Sequence, residues 1–529
     1  MRPLITPEEA AALDTDVQAR YGLSADQLME QAAAGMLRAL EDMGLVAYGT
    51  LPGGCSRQGK PDGLAIGHPA IVALCGKGNN AGDALALLRM AAFRGAAGLY
   101  AIVPPDLEGA ASLRALEAKA AGVILLEHPH GDAKALVHGA SLVLDAVTGT
   151  GLNGSLREPL YGIAALAAHA KGRVVAIDLP SGMQKRYERG KPEPELVEAE
   201  RSLCVAPLKT SLYYPGYRPS AGAISAVDGV FPRPSAAPSM SAQACLLEAA
   251  DLGALLPRLG PDCHKGSRGA VGIHAGSVGG LGAALIAARS SSAAGAGSVT
   301  LMLSDELYPL AATALSAQMI RPRSLGPGRR LDALLAGPGL GRDEQAGALV
   351  EELWRGELAL VLDADALRLL NRAEPRPLGA QLVLTPHPGE FAALACLAAG
   401  IDPADTQAAQ EIERRRRYDT EAILRELCAA YGAVIVLKDS VSWIGSPDGR
   451  LSVWDGRSPA LATAGSGDAL AGVLAALLGR GAEAYDAARA AVIAHGLAGR
   501  ELARHEGFFD ASALPSALSP LLYKEALRG

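Results

Sequence analysis

Aromatic side chains make up only 4% of this 529-residue chain, so its cores must be built from Ala, Leu and Val packed between layers. Cysteine is scarce and scattered, with seven residues at 55, 75, 204, 245, 263, 396 and 428 and no CxxC spacing. That pattern disfavours zinc sites and disulfide frameworks and points to a reducing compartment. No stretch is long and uncharged enough to span a bilayer. The opening Met1-Arg2-Pro3-Leu4-Ile5-Thr6-Pro7-Glu8-Glu9 turns acidic at once, without a signal-peptide apolar region. A soluble, cytoplasmic protein with no membrane partner is expected. Basic residues are also in deficit: 49 Lys and Arg against 56 Asp and Glu leave a net charge of −7. Nucleic acid is therefore a poor candidate partner, since phosphate backbones demand clustered Lys and Arg. The one dense basic run, Arg414 to Arg417, lies in a helical pattern among Glu411, Glu413, Asp419 and Glu421 and reads as a solvated, salt-bridged helix face.

What the chain does have is length and glycine. At 529 residues with 62 glycines and 49% hydrophobic residues it exceeds one hydrophobic core and should form two or more domains. The clearest break is Phe231-Pro232-Arg233-Pro234-Ser235-Ala236-Ala237-Pro238-Ser239-Met240, whose three prolines suit a linker. It divides the chain into domains at 1–232 and 241–529, joined by a linker at 233–240. A Gly- and Pro-rich piece from Gly49 to Gly67 reads as a surface insertion. Short apolar runs recur every 20 to 30 residues or so, the rhythm of βαβ units. Before the linker they are 70–75, 98–103, 122–126, 141–147, 173–177 and 202–206. After it they are 270–275, 298–303, 333–336, 358–362, 381–384, 433–437 and 451–454. Both halves are expected to be three-layer α/β/α domains, with ligands at the carboxyl ends of the strands.

The most informative segment is Leu461 to Gly472, which contains Gly465-Ser466-Gly467-Asp468. A glycine-rich turn runs into an apolar helix, so backbone N–H groups and the helix dipole favour an anion at that point. An aspartate there does not hold phosphate, but it is placed to take a proton from a hydroxyl that attacks one.

In the first half, Cys75-Gly76-Lys77-Gly78-Asn79-Asn80-Ala81-Gly82-Asp83 follows the first strong strand and opens a helix. Side-chain carbonyls of this kind suit a hydroxylated ligand or a hard cation. Asp145 ends another strand ahead of Gly149-Thr150-Gly151-Leu152-Asn153-Gly154-Ser155, and Asp178 ends the next, ahead of Leu179-Pro180-Ser181-Gly182. One such aspartate alone reads as a helix cap; three such loops at successive strand ends should converge on one pocket. These motifs, with Leu28-Met29-Glu30-Gln31-Ala32, resemble the NAD(P)H-hydrate epimerase family, which is Rossmann-like. The resemblance implies interconversion of the R and S forms of hydrated NADH and NADPH at the nicotinamide C6. It also implies potassium held by Asn80, Asp145 and Ser181, and Asp178 as acid/base at the nicotinamide. Asn79, Asn80, Ala81, Gly82 and Asp83 would contact the hydrate, as would Gly149, Thr150, Gly151, Leu152, Asn153, Gly154 and Ser155. Ala81 and Ala84 stand where that family usually has glycine.

In the second half, His264-Lys265-Gly266, Gly337-Pro338-Gly339-Leu340-Gly341, Asp363, Thr385-Pro386-His387-Pro388-Gly389-Glu390 and Ala494-His495-Gly496 accompany the Gly465–Asp468 turn. Taken singly, His387 and His495 also read as satisfied buried histidines, His495 more so because its helix is amphipathic, and Asp363 as a cap. As an ordered set they resemble the ADP- or ATP-dependent NAD(P)H-hydrate dehydratase family, which has a ribokinase-like fold. The two resemblances fall in the order of fused bifunctional nicotinamide-nucleotide repair proteins. They imply that Asp468 deprotonates the C6 hydroxyl of the S hydrate, after which the nucleotide's phosphoryl group is transferred and phosphate leaves. Gly339 and His387 would lie on the hydrate side. Lys438, Asp439, Ser440, Val441, Ser442, Gly465, Ser466 and Gly467 would bind ADP or ATP, with magnesium offsetting the phosphate charge. Asp439 replaces a family glycine, and its carboxylate is expected to repel phosphate, so that glycine there would tighten binding. A homo-oligomer is expected. A ribokinase-like small-molecule kinase with an accessory domain, or a non-catalytic binding relative, are the alternatives.

Overall fold

The computed structural model describes residues 1–48, 70–231, 244–376 and 381–528. The expected insertion at 49–67, the linker at 233–240 and the boundary at 232 lie outside the described residues. The chain divides into two compact units. One runs from Pro3 up to the 232–243 stretch and also takes in Arg417–Asp419, and the other comprises the remainder.

In the N-terminal unit the strands are β1 (Arg2–Ile5), β2 (Ile71–Cys75), β3 (Leu99–Val103), β4 (Ile124–Glu127), β5 (Leu142–Ala146), β6 (Arg173–Ile177), β7 (Arg201–Val205), β8 (Leu208–Lys209) and β9 (Ala223–Val227). The main sheet has the order β4-β3-β2-β5-β6-β7-β9 and is parallel throughout. From β2 the chain moves outward to β3 and β4, then returns to the other side of β2 at β5. The strand order therefore reverses between β2 and β5, the place where open α/β sheets leave a crevice for ligands. Side chains of β2 alternate between two cores: Ile71, Ala73 and Cys75 join one, Val72 and Leu74 the other. That alternation makes three layers out of a strand that is apolar on both faces. The helix Ala25–Asp42 opens on a capping box of Ser24 and Gln27 and buries Leu28, Met29 and Ala32.

The C-terminal unit contains β10 (Ala244–Leu246), β11 (Ala270–His274), β12 (Ser298–Leu303), β13 (Met319–Pro322), β14 (Ala333–Ala336), β15 (Ala359–Leu362), β16 (Leu382–Leu384), β17 (Val434–Leu437), β18 (Ser442–Gly445) and β19 (Leu451–Trp454). Their order is β13-β12-β11-β14-β15-β16-β17-β18-β19-β10. Neighbours are parallel from β13 to β17, and β17, β18 and β19 form an antiparallel meander. The helix Ser466–Gly479 is buried at every residue from Ala469 onward. It packs so closely on the helix Leu281–Ala293 that a Cβ at Gly472 would lie 2.3 Å from the Ala287 carbonyl oxygen.

Every apolar run named from the sequence forms a strand, with ends shifted by two residues or fewer. The strands β1, β8, β9, β10, β13 and β18 are not among those apolar runs. These strands are either short or, like the half-exposed Ala223–Val227, too mixed to stand out as apolar runs.

Candidate active sites

The loop after β2 makes one wall of the N-terminal site. Gly76 is required there because a Cβ would meet the Val147 carbonyl oxygen at 1.9 Å. Asn79 is exposed, whereas Asn80 is buried at the start of the helix Asn79–Phe93. Asn80 Nδ2 donates to the Thr148 carbonyl at 3.0 Å, and its Oδ1 is buried without a partner among the described residues. Asp145 on β5 is fully buried. Its Oδ1 accepts from Ser181 Oγ at 2.5 Å and its Oδ2 from the Ser181 N–H at 2.7 Å. Burial pushes the Asp145 carboxyl up to about 6, against the lowering effect of those hydrogen bonds. The Thr148 N–H in turn donates to Ser181 Oγ at 2.9 Å. Asn80, Asp145 and Ser181, far apart in sequence, thus meet around Thr148. From there the Gly149–Ser155 loop begins against the Asn80 side chain, with Gly149 near its Cβ, and runs outward to exposed Asn153 and Ser155.

Asp178 follows β6 with φ 61°, a left-handed conformation that is uncommon for a residue with a Cβ. Its Oδ1 accepts from the Val205 N–H at 3.1 Å and from Lys209 Nζ at 2.6 Å. Lys209 is 4% exposed and also donates to the Val205 carbonyl at 2.9 Å. Asp83 lies close enough to feel this pair. Burial, then the Asp178 charge, push its carboxyl well above the usual range, while Lys209 opposes them. Neither Asp145 nor Asp178 is a helix cap. Lys209 went unnoticed in the sequence; its signal was a lone lysine directly after the apolar Val205-Ala206-Pro207-Leu208.

In the C-terminal unit, Asp363 after β15 is 1% exposed and accepts at Oδ1 from Lys438 Nζ at 2.5 Å and from Thr385 Oγ1 at 2.7 Å. It does not cap the helix that follows, whose N-cap is Ala364 with no side-chain hydrogen bond. Gly465 caps the helix Ser466–Gly479 at φ 92°, a conformation that favours glycine. The first N–H groups of that helix have no partner within it. Lys438 reaches this turn, since a Cβ on Gly467 would be 3.2 Å from its Nζ. Asp468 is pushed up to about 7, chiefly by burial and then by Asp363, with Lys438 opposing. Gly337 and Gly339 have positive φ, and a Cβ on Gly339 would strike the Gly280 carbonyl at 2.4 Å, so the β11 and β14 loops are in backbone contact.

Beside this cluster is a cavity of about 580 Å³, lined by Lys438, Asp439, Ser440, Ser442, Ser466 and Gly467 together with Trp454, Arg457, Leu461 and His495. Val441 is fully buried and is not part of the lining. Two histidine readings change. His387 is 46% exposed rather than buried, and its Nδ1 caps the helix Pro388–Ala398 by accepting from the Gly389 and Glu390 N–H groups, while Nε2 lies 3.2 Å from Glu390 Oε1. His495 is not a satisfied core histidine. Its Nε2 is buried without a partner among the described residues, burial lowers its pKa to about 4, and it lines the cavity.

Comparison with known proteins supplies the lineage. Residues 271–520 match the family described as NAD(P)H-hydrate dehydratase, and residues 25–211 the family described as YjeF-related protein N-terminus. The bifunctional NAD(P)H-hydrate repair enzyme of Moorella thermoacetica is 31% identical over 95% of this chain and 93% of that one. This chain belongs to the bifunctional NAD(P)H-hydrate repair enzyme family. The Salinibacter ruber member is 32% identical over 94% of this chain and 91% of its own. An ADP/ATP-dependent NAD(P)H-hydrate dehydratase from Bacillus subtilis, co-crystallized with ATP and Mg2+, is 26% identical over 53% of this chain and 97% of that one, with a TM-score of 0.46.

Within this repair-enzyme family the chain's own departures now have a physical setting. Ala81 and Ala84 are fully buried in the helix–sheet core, so their methyl groups pack inward. Gly82 is likewise turned inward, toward Met29. The basic run is also more than a solvated face. Arg415 pairs with Glu426 at 2.6 Å and Arg417 with Glu193 at 2.9 Å, but Arg416 is only 4% exposed and donates from Nη1 to Asp439 Oδ2 at 2.8 Å. Asp439 Oδ1 accepts from the Ser440 N–H at 2.6 Å. The Asp439 carboxylate therefore has a counter-charge in Arg416.

Among the described residues no helix is long and apolar enough to cross a membrane, and no group of three or more His, Cys, Asp and Glu side chains is placed to hold a metal.

Proposed function

We propose that the N-terminal unit interconverts R and S NAD(P)H hydrates and that the C-terminal unit dehydrates the S form with ADP or ATP, releasing phosphate. The observation that carries this reading is that each unit sets a carboxylate and a lysine together at the carboxyl end of a parallel sheet. These are Asp178 with Lys209, and Asp468 with Lys438 and Asp363. Epimerisation at C6 requires a carbon–oxygen bond to open and close with proton transfer but no change of redox state. Asp178, held by Lys209, is the group for that proton. In the second unit Asp468 takes the proton of the C6 hydroxyl while Lys438 and the first turn of its helix face the transferred phosphate. Loss of phosphate then restores the ring double bond.

Potassium fits the first unit. Among the described residues the buried Asn80 Oδ1 lacks a partner, and it shares the space around Thr148 with the buried Asp145 carboxylate and the Ser181 hydroxyl, all hard oxygen donors. Asn80, Asp145 and Ser181 would hold the ion, which would supply the positive charge that Asp145 lacks. Magnesium would arrive with the nucleotide, held chiefly by its phosphates. The test is to supply mixed R and S hydrates with magnesium and either ADP or ATP, and to follow recovery of reduced-nicotinamide absorbance. Recovery of both epimers is expected, and Asp178→Asn should leave the R fraction unrepaired. No recovery with either nucleotide refutes the dehydratase reading.

A further inference from the structure

The nucleotide cavity contains a carboxylate that a phosphate ligand should avoid. Asp439 lines it next to Lys438, yet Lys438 is already engaged by Asp363. The charge of Asp439 is met instead by Arg416, which comes from the helix Thr406–Tyr418 and does not itself line the cavity. Arg416 serves two carboxylates at once. Nη1 donates to Asp439 Oδ2 at 2.8 Å, while Nε and Nη2 grip both oxygens of Glu413 at 2.7 Å. Such a fork holds its partners in fixed directions, which a lysine ammonium does not. The other Asp439 oxygen accepts from the Ser440 N–H, and the Ser440 carbonyl accepts from the N–H of Arg457, which lines the same cavity, at 3.0 Å. Both Asp439 carboxylate oxygens thus have partners, one in Arg416 and one within the Lys438–Ser442 loop itself.

We infer that Arg416 is a positioning residue for the nucleotide site, neutralising Asp439 and holding it back so that the Lys438–Ser442 loop can accept a nucleoside di- or triphosphate. This inference rests on the nucleotide reading of the cavity proposed above. Without Arg416, the half-buried Asp439 carboxylate, 23% exposed, is left without its partner beside the phosphates. At distances of a few Å and intermediate screening, one such like charge weakens binding by roughly tenfold to several hundredfold. ATP, with the greater charge, must lose more than ADP.

The decisive experiment is a double-mutant cycle on the full chain, read by calorimetric titration of ADP and ATP with magnesium. Arg416→Met is expected to weaken binding at least about tenfold, more for ATP, and to raise KM for the nucleotide far more than it lowers kcat. Adding Asp439→Gly to that variant should restore most of the loss, and the same glycine in the wild type should shift affinity much less. An Arg416→Met protein that binds like the wild type overturns the inference. So does a double variant that stays as weak as Arg416→Met, which would make the arginine merely structural. If Arg416→Met does not fold, Arg416→Lys keeps the charge and is expected to lose less than about tenfold; a larger loss at normal melting temperature rejects charge neutralisation. Should the wild type itself bind neither nucleotide, the reading of the cavity fails first, a result distinct from an unresponsive variant.

Discussion

Asp468 should make this protein less stable in the pH range where it makes it active. Its carboxyl is pushed from an ordinary 3.8 up to about 7 by burial and by Asp363. The folded state therefore holds this proton more tightly than the unfolded chain does. The stability that goes with it is complete below pH 3.8 and is lost as the pH rises toward 7. Each pKa unit between the two states is worth about 1.4 kcal/mol, so ionising this side chain in the fold costs on the order of 4 kcal/mol. Asp468→Asn keeps the shape and removes the ionisation. Without nucleotide or hydrate, the variant should be about 1 kcal/mol more stable than the wild type near pH 4.5 and about 4 kcal/mol more stable near pH 8.5. For a domain of this size 1 kcal/mol moves the midpoint by roughly 2–4 °C, so the difference is readable in paired thermal melts. The same substitution should cut dehydration by a factor on the order of 10²–10⁴, the usual loss of a general base. Wild-type kcat/KM for dehydration should rise with pH up to a plateau above about 7. A variant no more stable than the wild type at pH 8.5, or a stability difference that does not widen with pH, refutes the claim that this carboxylate is held against its charge. Near-normal turnover refutes its role as base.

Two more outcomes follow from the N-terminal unit. Lys209→Met removes the charge-assisted hydrogen bond to Asp178, and epimerisation should fall by roughly 10²-fold in kcat with KM little changed, while dehydration of pure S hydrate continues; stopped-flow epimer analysis with a dehydration control checks both. Replacing potassium by tetramethylammonium should lower the melting temperature of the wild type, and Asn80→Ala, which deletes the unpartnered buried oxygen, should abolish that dependence; a melting curve indifferent to the cation removes potassium from Asn80, Asp145 and Ser181.

The strands and the motif loops were legible because their signals are local. A run such as Ile71–Cys75 is apolar over consecutive residues, and Gly465 announces its own left-handed turn. Local patterns also placed Asp145, Asp178 and Asp468 at strand or helix ends. What they could not supply was the partner of each carboxylate, because partners are set by which strands become neighbours. Lys209 reaches Asp178 from 31 residues away and Lys438 reaches Asp363 from 75. His387 shows the opposite failure. Its cap spans only three residues, but Ser, Thr, Asn and Asp are the expected caps, so a histidine doing that work reads as a ligand.

Asp439 is where this difference matters most. Judged by its neighbours in sequence, it is a negative charge beside a lysine in a phosphate-binding loop, and repulsion is the reasonable conclusion. The fold gives that charge a partner in Arg416, 23 residues earlier, within a run of four arginines that looked uniformly solvated. Only one of the four is nearly fully buried there, and sequence spacing does not mark which. A helix carrying consecutive arginines must turn at least one toward whatever packs against it, since successive side chains lie about 100° apart. Such a residue is retained inside only with carboxylates to meet it. Glu413 is visible one turn back on the same helix, while Asp439 becomes visible only once β17 is in place. The carboxylate in the Lys438–Ser442 loop and the buried charge on the helix are therefore one feature, joined by a single ion pair.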